Sequence, residues 1–275
     1  MSVESPVRFE YTVVASRLHD ADAVALLTAP ARAVLDSIGG READTGERLA
    51  EVPLVCLVAT GGTERMVLDA LAGRRTSHGD EPTILVAHRA HNSLPAALET
   101  LAAVRQAGGR GRIICLSGEA DRDRRDLDEA VGDVEAIRRF HSTRLGVVGG
   151  PSTWLVASSP DDEMVRRRWG PELVTVDPTR MIELTRTPVI PTGALAERFT
   201  RVADPIRSTV GSQDVDAAMG VRAALGDVLE DHDLDAVTVR CFDLLGDPGT
   251  SGCLALADLN DEGIVAGCEG DVPSA

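Results

Sequence analysis

Short apolar runs alternate along the whole chain with longer segments whose apolar residues recur every three or four positions. The runs centre on Tyr11–Arg17, Val52–Thr60, Thr83–Ala87, Arg112–Leu116, Leu145–Val148, Leu173–Val176, Ala236–Phe242 and Ile264–Ala266. Rich in β-branched residues and too short for buried helices, they predict strands covered on both faces. The periodic segments predict helices over Asp22–Ile38, Glu64–Leu71, Leu94–Gln106, Asp121–Phe140, Asp162–Arg168, Asp214–Leu229 and Cys253–Leu259. Residues 178–210 predict two more, with Pro188 and Pro191 between them. Pro30 predicts a split or kink in the first helix, whereas Pro95 falls in a first turn, where proline is tolerated.

Regular alternation of strand and helix predicts doubly wound parallel sheets. A length of 275 residues suits one large domain or two of ordinary size. The fold class is α/β, with two Rossmann-like three-layer α/β/α domains, residues 1–150 and 151–275. The strand Leu145–Val148, ending on Gly149-Gly150-Pro151-Ser152, marks the entry to the second. No internal repeat or low-complexity tract interrupts the pattern.

Ligands of open α/β sheets bind outside the carboxyl ends of the strands, so candidate chemistry is sought in the loops that follow them. Gly61-Gly62-Thr63 lies between a strand and a helix, where backbone N–H groups can hold an anion or hydroxyls. It lacks the Gly-x-Gly-x-x-Gly spacing, which disfavours a dinucleotide. A plain turn with Thr63 as helix N-cap explains it equally well. Gly149 to Ser152 follows the same logic, and Trp154 beside it reads as core. The loop His88-Arg89-Ala90-His91-Asn92-Ser93 is richer in polar groups than a turn needs. A metal pair of His88 and His91 ranks below hydroxyl binding there, and a surface loop capped by Ser93 is the bland alternative. Cys268-Glu269-Gly270-Asp271 places a carboxylate where the last strand runs out. Without further context, Glu269 reads as a carboxylate favouring the dipole of a helix starting at Pro273.

The last forty residues resemble the L-arabinose and L-fucose isomerases. Phe242-Asp243-Leu244-Leu245, Gly252-Cys253-Leu254-Ala255 and Cys268-Glu269-Gly270-Asp271 stand in the order and at the spacing of that family's strand end, Pro-Gly-Leu-Ala helix and Gly-Glu-Gly-Asp. The resemblance is carried by residues 236–275 and is mainly architectural elsewhere. It implies an aldose–ketose isomerase working through an enediol, with Glu269 as both a Mn²⁺ ligand and an acid/base group. Beside that resemblance, and without a residue-by-residue match to the family, the candidates for sugar binding are His91, Asn92, Arg240 and Asp271. Arg240 would contact substrate oxygens or pair with Glu269, and Asp271 would orient a neighbour. In that family the other metal ligands lie in a C-terminal domain, which the resemblance implies is absent from this chain; the chain alone is then expected to turn over little. The family also forms homo-oligomers in which the N-terminal domain of one subunit reaches a neighbour's active site. A cytosolic sugar-binding sensor of two Rossmann-like domains, without metal or catalysis, is the alternative.

Composition narrows the partners. The formal charge is −16, and no lysine occurs anywhere. Such a surface repels nucleic acid and anionic membrane, and aromatics at 3% provide no stacking platform for single strands. Acid excess without lysine also suggests a halophilic host. The polar N-terminus reads as no signal peptide, and the longest apolar run is too short to span a bilayer, so a cytoplasmic location is expected. The five cysteines contain no Cys-x-x-Cys pair and read as reduced thiols. Cys241, Cys253 and Cys268 are expected to converge near one sheet edge, with a zinc or iron–sulfur site disfavoured.

Overall fold

A computed structural model describes residues 7–43, 51–78, 81–186, 196–198, 200–201, 209–246 and 249–275, apart from the side chains of 75–78, 184 and 212. The chain divides into two compact units, Met1–Arg138 and Arg139–Ala275.

Unit 1 holds strands β1 (Phe9–Val14), β2 (Gly40–Glu42), β3 (Leu54–Val58), β4 (Thr83–Ala87) and β5 (Gly111–Cys115). All pair in parallel, in the order β2-β1-β3-β4-β5. The helices are α1 (Ala21–Ser37), α2 (Glu64–His78), α3 (Ser93–Gln106) and α4 (Ala120–Ser142). Alternation along the strands sends their side chains to two separate cores. Phe9, Tyr11, Val55, Leu57 and Ile84 pack with Leu35 of α1 and Leu127, Val131 and Val134 of α4. Val14, Cys56, Val58 and Leu85 pack with Val67 of α2 and Leu101 and Val104 of α3. The unit is therefore a sheet between two helical layers. Pro30 lies inside an uninterrupted α1, so it does not split the helix.

Unit 2 holds β6 (Arg144–Val148), β7 (Glu172–Val176), β8 (Ala236–Val239) and β9 (Val265–Cys268), parallel in the order β7-β6-β8-β9. Its helices are α5 (Asp162–Arg168), α6 (Pro178–Arg186), α7 (Ser212–Asp231), the short α8 (Asp243–Gly246) and α9 (Cys253–Asp261). Val148, Val237 and Val239 meet Met181 of α6, Val221, Leu225 and Val228 of α7, and Leu259 of α9. The opposite face, Leu145, Val147 and Ala236, is covered by Val165 of α5 and by Val272.

Both sheets thus confirm the two α/β units with parallel strands. The division falls earlier than residue 150, because Leu145 to Val148 pair with β7 and β8 and so belong to the second sheet. Most of the second helix expected within 178–210, with Pro188 and Pro191, lies outside the described residues. No helix among the described residues is long and apolar enough to cross a membrane.

Candidate functional site

In each sheet the strand order reverses direction at one place, between β1 and β3 in unit 1 and between β6 and β8 in unit 2. In open α/β sheets, ligands sit outside the carboxyl ends of the strands at such a reversal.

In unit 2, the loops over this edge are tied to one another. Glu269 follows β9 directly and takes a left-handed backbone, with φ of 65°. Gly270 is left-handed too, and a Cβ on it would stand 2.3 Å from the carbonyl oxygen of Gly150, so only glycine fits this approach. The N–H of Ser152 donates to the carbonyl of Glu269 at 2.8 Å. β6 and β9 lie on either side of β8, so the loop after β6 reaches the loop after β9 across the end of β8. Ser152 is buried, and its Oγ has no hydrogen-bond partner. Trp154 Nε1 donates to Glu269 Oε2 at 2.6 Å, and its ring meets Phe242 edge-on at 5.3 Å. Trp154 is 54% exposed, so it is a surface clamp on the carboxylate and not the core residue the sequence suggested. Among the described residues no arginine forms an ion pair with Glu269.

Arg240, one residue past β8, gives its Nε–H to Asp243 at 2.7 Å. It therefore pairs with its own turn and not with Glu269. It packs over Gly149, where a Cβ would sit 3.3 Å from its own. Asp271 Oδ1 accepts the N–H of Ser274 and secures the final turn. Pro273 and Ser274 form a turn. The three sequence-predicted residues of this unit, Arg240, Glu269 and Asp271, accordingly share one edge of the sheet.

Cys268 lies between this edge and the core. Burial pushes its thiol up to about 12, and the Cys241 thiol, to which it hydrogen-bonds, adds to the shift, with Cys253 a smaller influence. Among the described residues, no three His, Cys, Asp or Glu side chains converge to hold a metal ion.

His91 and Asn92 lie on the corresponding edge of unit 1. Both are left-handed, with φ of 51° and 57°. The carbonyl of His91 accepts the N–H of Gly61 at 2.8 Å, and a Cβ on Gly61 would come within 2.7 Å of that of Asn92. Thr60 Oγ1 accepts the N–H of Ser16, joining the loops after β1 and β3 at the strand-order reversal. The His91 ring meets His19 edge-on at 5.4 Å. Ser93 does not cap α3. Its hydroxyl donates to the carbonyl of Val58 and accepts the N–H of His88. Thr63 precedes α2, but its hydroxyl is spent on the carbonyl of Thr60.

His88 is not available to a metal. Its Nε2 meets the carbonyl of Ala59 at 3.0 Å and its Nδ1 accepts the N–H of Ala90 at 3.2 Å, an arrangement that fits a neutral ring protonated at Nε2. Burial lowers its pKa, and the bond to Ala59 only partly opposes this. Because the folded-state pKa is depressed, the stabilisation is complete above the ordinary histidine value and fades as pH falls below it. Urea unfolding of wild type and His88→Gln should show a stability gap at pH 7 that narrows toward pH 5. A gap that stays constant or widens would contradict the neutral buried ring.

Four non-glycine residues take left-handed backbone among the described residues: His91, Asn92, Asp233 and Glu269. Each such residue stores of order 1 kcal/mol or more of strain, which persists where surrounding structure enforces it and clusters at functional sites. Three of the four stand at the strand ends that the sequence marked for binding. No protein-family model and no curated protein sequence matches the chain.

Proposed function

We propose that the chain is part of an aldose–ketose isomerase acting through an enediol, with Glu269 as the proton carrier. The observation that carries this reading is the setting of Glu269. It is a strained residue at the carboxyl end of β9, and its carboxylate is held by a Trp154 N–H and, among the described residues, is not paired with an arginine. A general base needs an ionised carboxylate that is fixed in direction but not consumed by an ion pair.

In the proposed reaction Glu269 takes the proton from carbon 2 of the open-chain aldose and returns it to carbon 1. The hydroxyl proton of carbon 2 passes to the former aldehyde oxygen, giving the ketose. Trp154 keeps the carboxylate aimed, and Phe242 braces Trp154. The ion pair of Arg240 uses Nε, so its terminal nitrogens serve the substrate oxygens where negative charge develops. Small polar groups at His91 and Asn92 suit sugar hydroxyls at the other unit's edge.

The residues described here do not by themselves fit a divalent ion. One carboxylate cannot fill the octahedral oxygen-rich shell of Mn²⁺, and no other ligand converges on Glu269 among the described residues. A Mn²⁺-dependent enzyme would draw its remaining ligands from a further segment or another subunit. The assembled protein, meaning the chain with whatever supplies those ligands, is therefore the sample to assay. The test is ketose formation from a panel of aldopentoses and deoxyhexoses. Sugar binding by calorimetry without ketose formation in the assembled protein would favour the sensor alternative.

A further inference from the structure

A cavity of about 600 Å³ lies in unit 2, beside the buried pair of Arg222 and Asp258. That volume falls in the range of small-molecule sites. The cavity adjoins Ile264, which precedes β9. It therefore stands at the other end of that strand from Glu269, apart from the proposed catalytic edge. Its wall carries both charges: Arg198, Arg201 and Arg222 line it together with Asp227 and Glu230 of α7. Arg198 and Arg222 bond to Asp258 and Glu262 through Nε and Nη2, and the Nη1 of each has no hydrogen-bond partner among the described residues. Gly226, inside α7, also lines the cavity, and a Cβ on it would stand 3.4 Å from Arg222 Nη1. Glycine is unfavourable in a helix interior; here its missing side chain leaves that nitrogen uncovered. Arg201, Asp227 and Glu230 are exposed, and none of them forms an ion pair among the described residues. Asp227 and Glu230 are three residues apart on α7, so their like charges are neighbours on one helix face, which is unfavourable without a counter-charge. Opposite charges thus line one cavity without reaching each other. Leu229, Leu259 and Ile264 add apolar surface to the same wall.

We infer that this cavity binds a small zwitterion with an aliphatic body, namely an aliphatic α-amino acid or a dipeptide of such residues. A simple anion would meet Asp227 and Glu230, and a simple cation would meet Arg201; a molecule carrying both charges satisfies both. The guanidinium of Arg201, with the open Nη1 atoms of Arg198 and Arg222, receives the carboxylate in charge-assisted hydrogen bonds. Asp227 and Glu230 receive the ammonium group. Leu229, Leu259 and Ile264 take the aliphatic side chain out of water.

This inference does not depend on the isomerase reading, and its test reads binding, not turnover. The chain is titrated calorimetrically with L-leucine and L-leucyl-L-leucine. N-acetyl-L-leucine, which lacks the ammonium group, and L-leucinamide, which lacks the carboxylate, are titrated beside them. The expected result is saturable binding of at least one of the two zwitterions. Each analogue should bind about tenfold more weakly or worse, as for loss of one charge-assisted hydrogen bond. Arg201→Gln should abolish the preference over leucinamide, and the double variant Asp227→Asn, Glu230→Gln should abolish the preference over N-acetyl-leucine. All three side chains are exposed, so the far-ultraviolet spectrum and unfolding midpoint of both variants should match wild type. No saturable binding of either zwitterion, analogues bound as tightly as the zwitterions, or variants that keep the wild-type preferences would overturn it.

Discussion

Glu269→Gln should reduce aldose–ketose turnover of the assembled protein by at least about a thousandfold, within the span attributed to a positioned acid or base. Glutamine keeps the side chain's length and an oxygen for the Trp154 N–H, but it has no charge and cannot accept the carbon-bound proton. The left-handed backbone and the Ser152 bond to the Glu269 carbonyl do not depend on the carboxylate. The fold should therefore be retained, and the far-ultraviolet spectrum and unfolding midpoint should stay close to wild type. Loss of turnover with an intact fold assigns chemistry to Glu269. Loss of both would make it a structural residue.

Asp258→Ala should produce the largest change in stability. Asp258 of α9 is fully enclosed, and its two oxygens each hold an arginine: Arg222 Nε at 2.9 Å and Arg198 Nε at 2.7 Å. Arg198 also donates to the Asp258 carbonyl, and Glu262 accepts from Arg222 and pairs with Arg198. The alanine variant leaves the buried Arg222 with less compensation and removes the link between α7 and α9. Breaking one side of a buried pair costs about 3–5 kcal/mol. In urea this corresponds to a fall of roughly 1–3 M in the midpoint for unit 2. A change of less than about 0.5 M on that scale would show that Glu262 alone satisfies both guanidinium groups. A cavity of about 600 Å³ opens beside this network, lined by Arg198, Arg201, Arg222, Glu262 and Ile264. Ile264 precedes β9 whereas Glu269 follows it, so this cavity and the proposed catalytic edge lie at opposite ends of that strand, about 17 Å apart.

The parallel architecture was legible because burial on both faces writes strands such as Leu54–Val58 as unbroken apolar runs. β2 was not, since Gly40-Arg41-Glu42 is polar and pairs on one side only, with β1. The unit boundary also escaped detection. Leu145 to Val148 reads as a strand in either unit, and only its pairing assigns it. At the candidate site, the position of Glu269 could be read from where the last apolar run stops. Its left-handed backbone could not, because the glycine-like conformation is imposed by Gly270 packing against Gly150, a contact 120 residues apart in the chain. Trp154 was misread for a related reason. A tryptophan near an apolar strand ordinarily joins the core, and its bond to Glu269 depends on a loop crossing the end of β8. Arg240 had two acidic candidates at the strand ends, and the nearer in sequence, Asp243, takes it through a turn of three residues.

The most direct measurement of the central claim is isomerisation in D₂O, followed by proton and deuterium resonance of the sugar carbons. A carboxylate that carries the proton through an enediol exchanges it with solvent, so wild-type assembled protein should place deuterium on carbon 1 of the ketose and carbon 2 of recovered aldose. Glu269→Gln should incorporate none above background. Incorporation by Glu269→Gln at the wild-type rate, or no carbon-bound deuterium from any aldose with the assembled wild-type protein, would contradict the account.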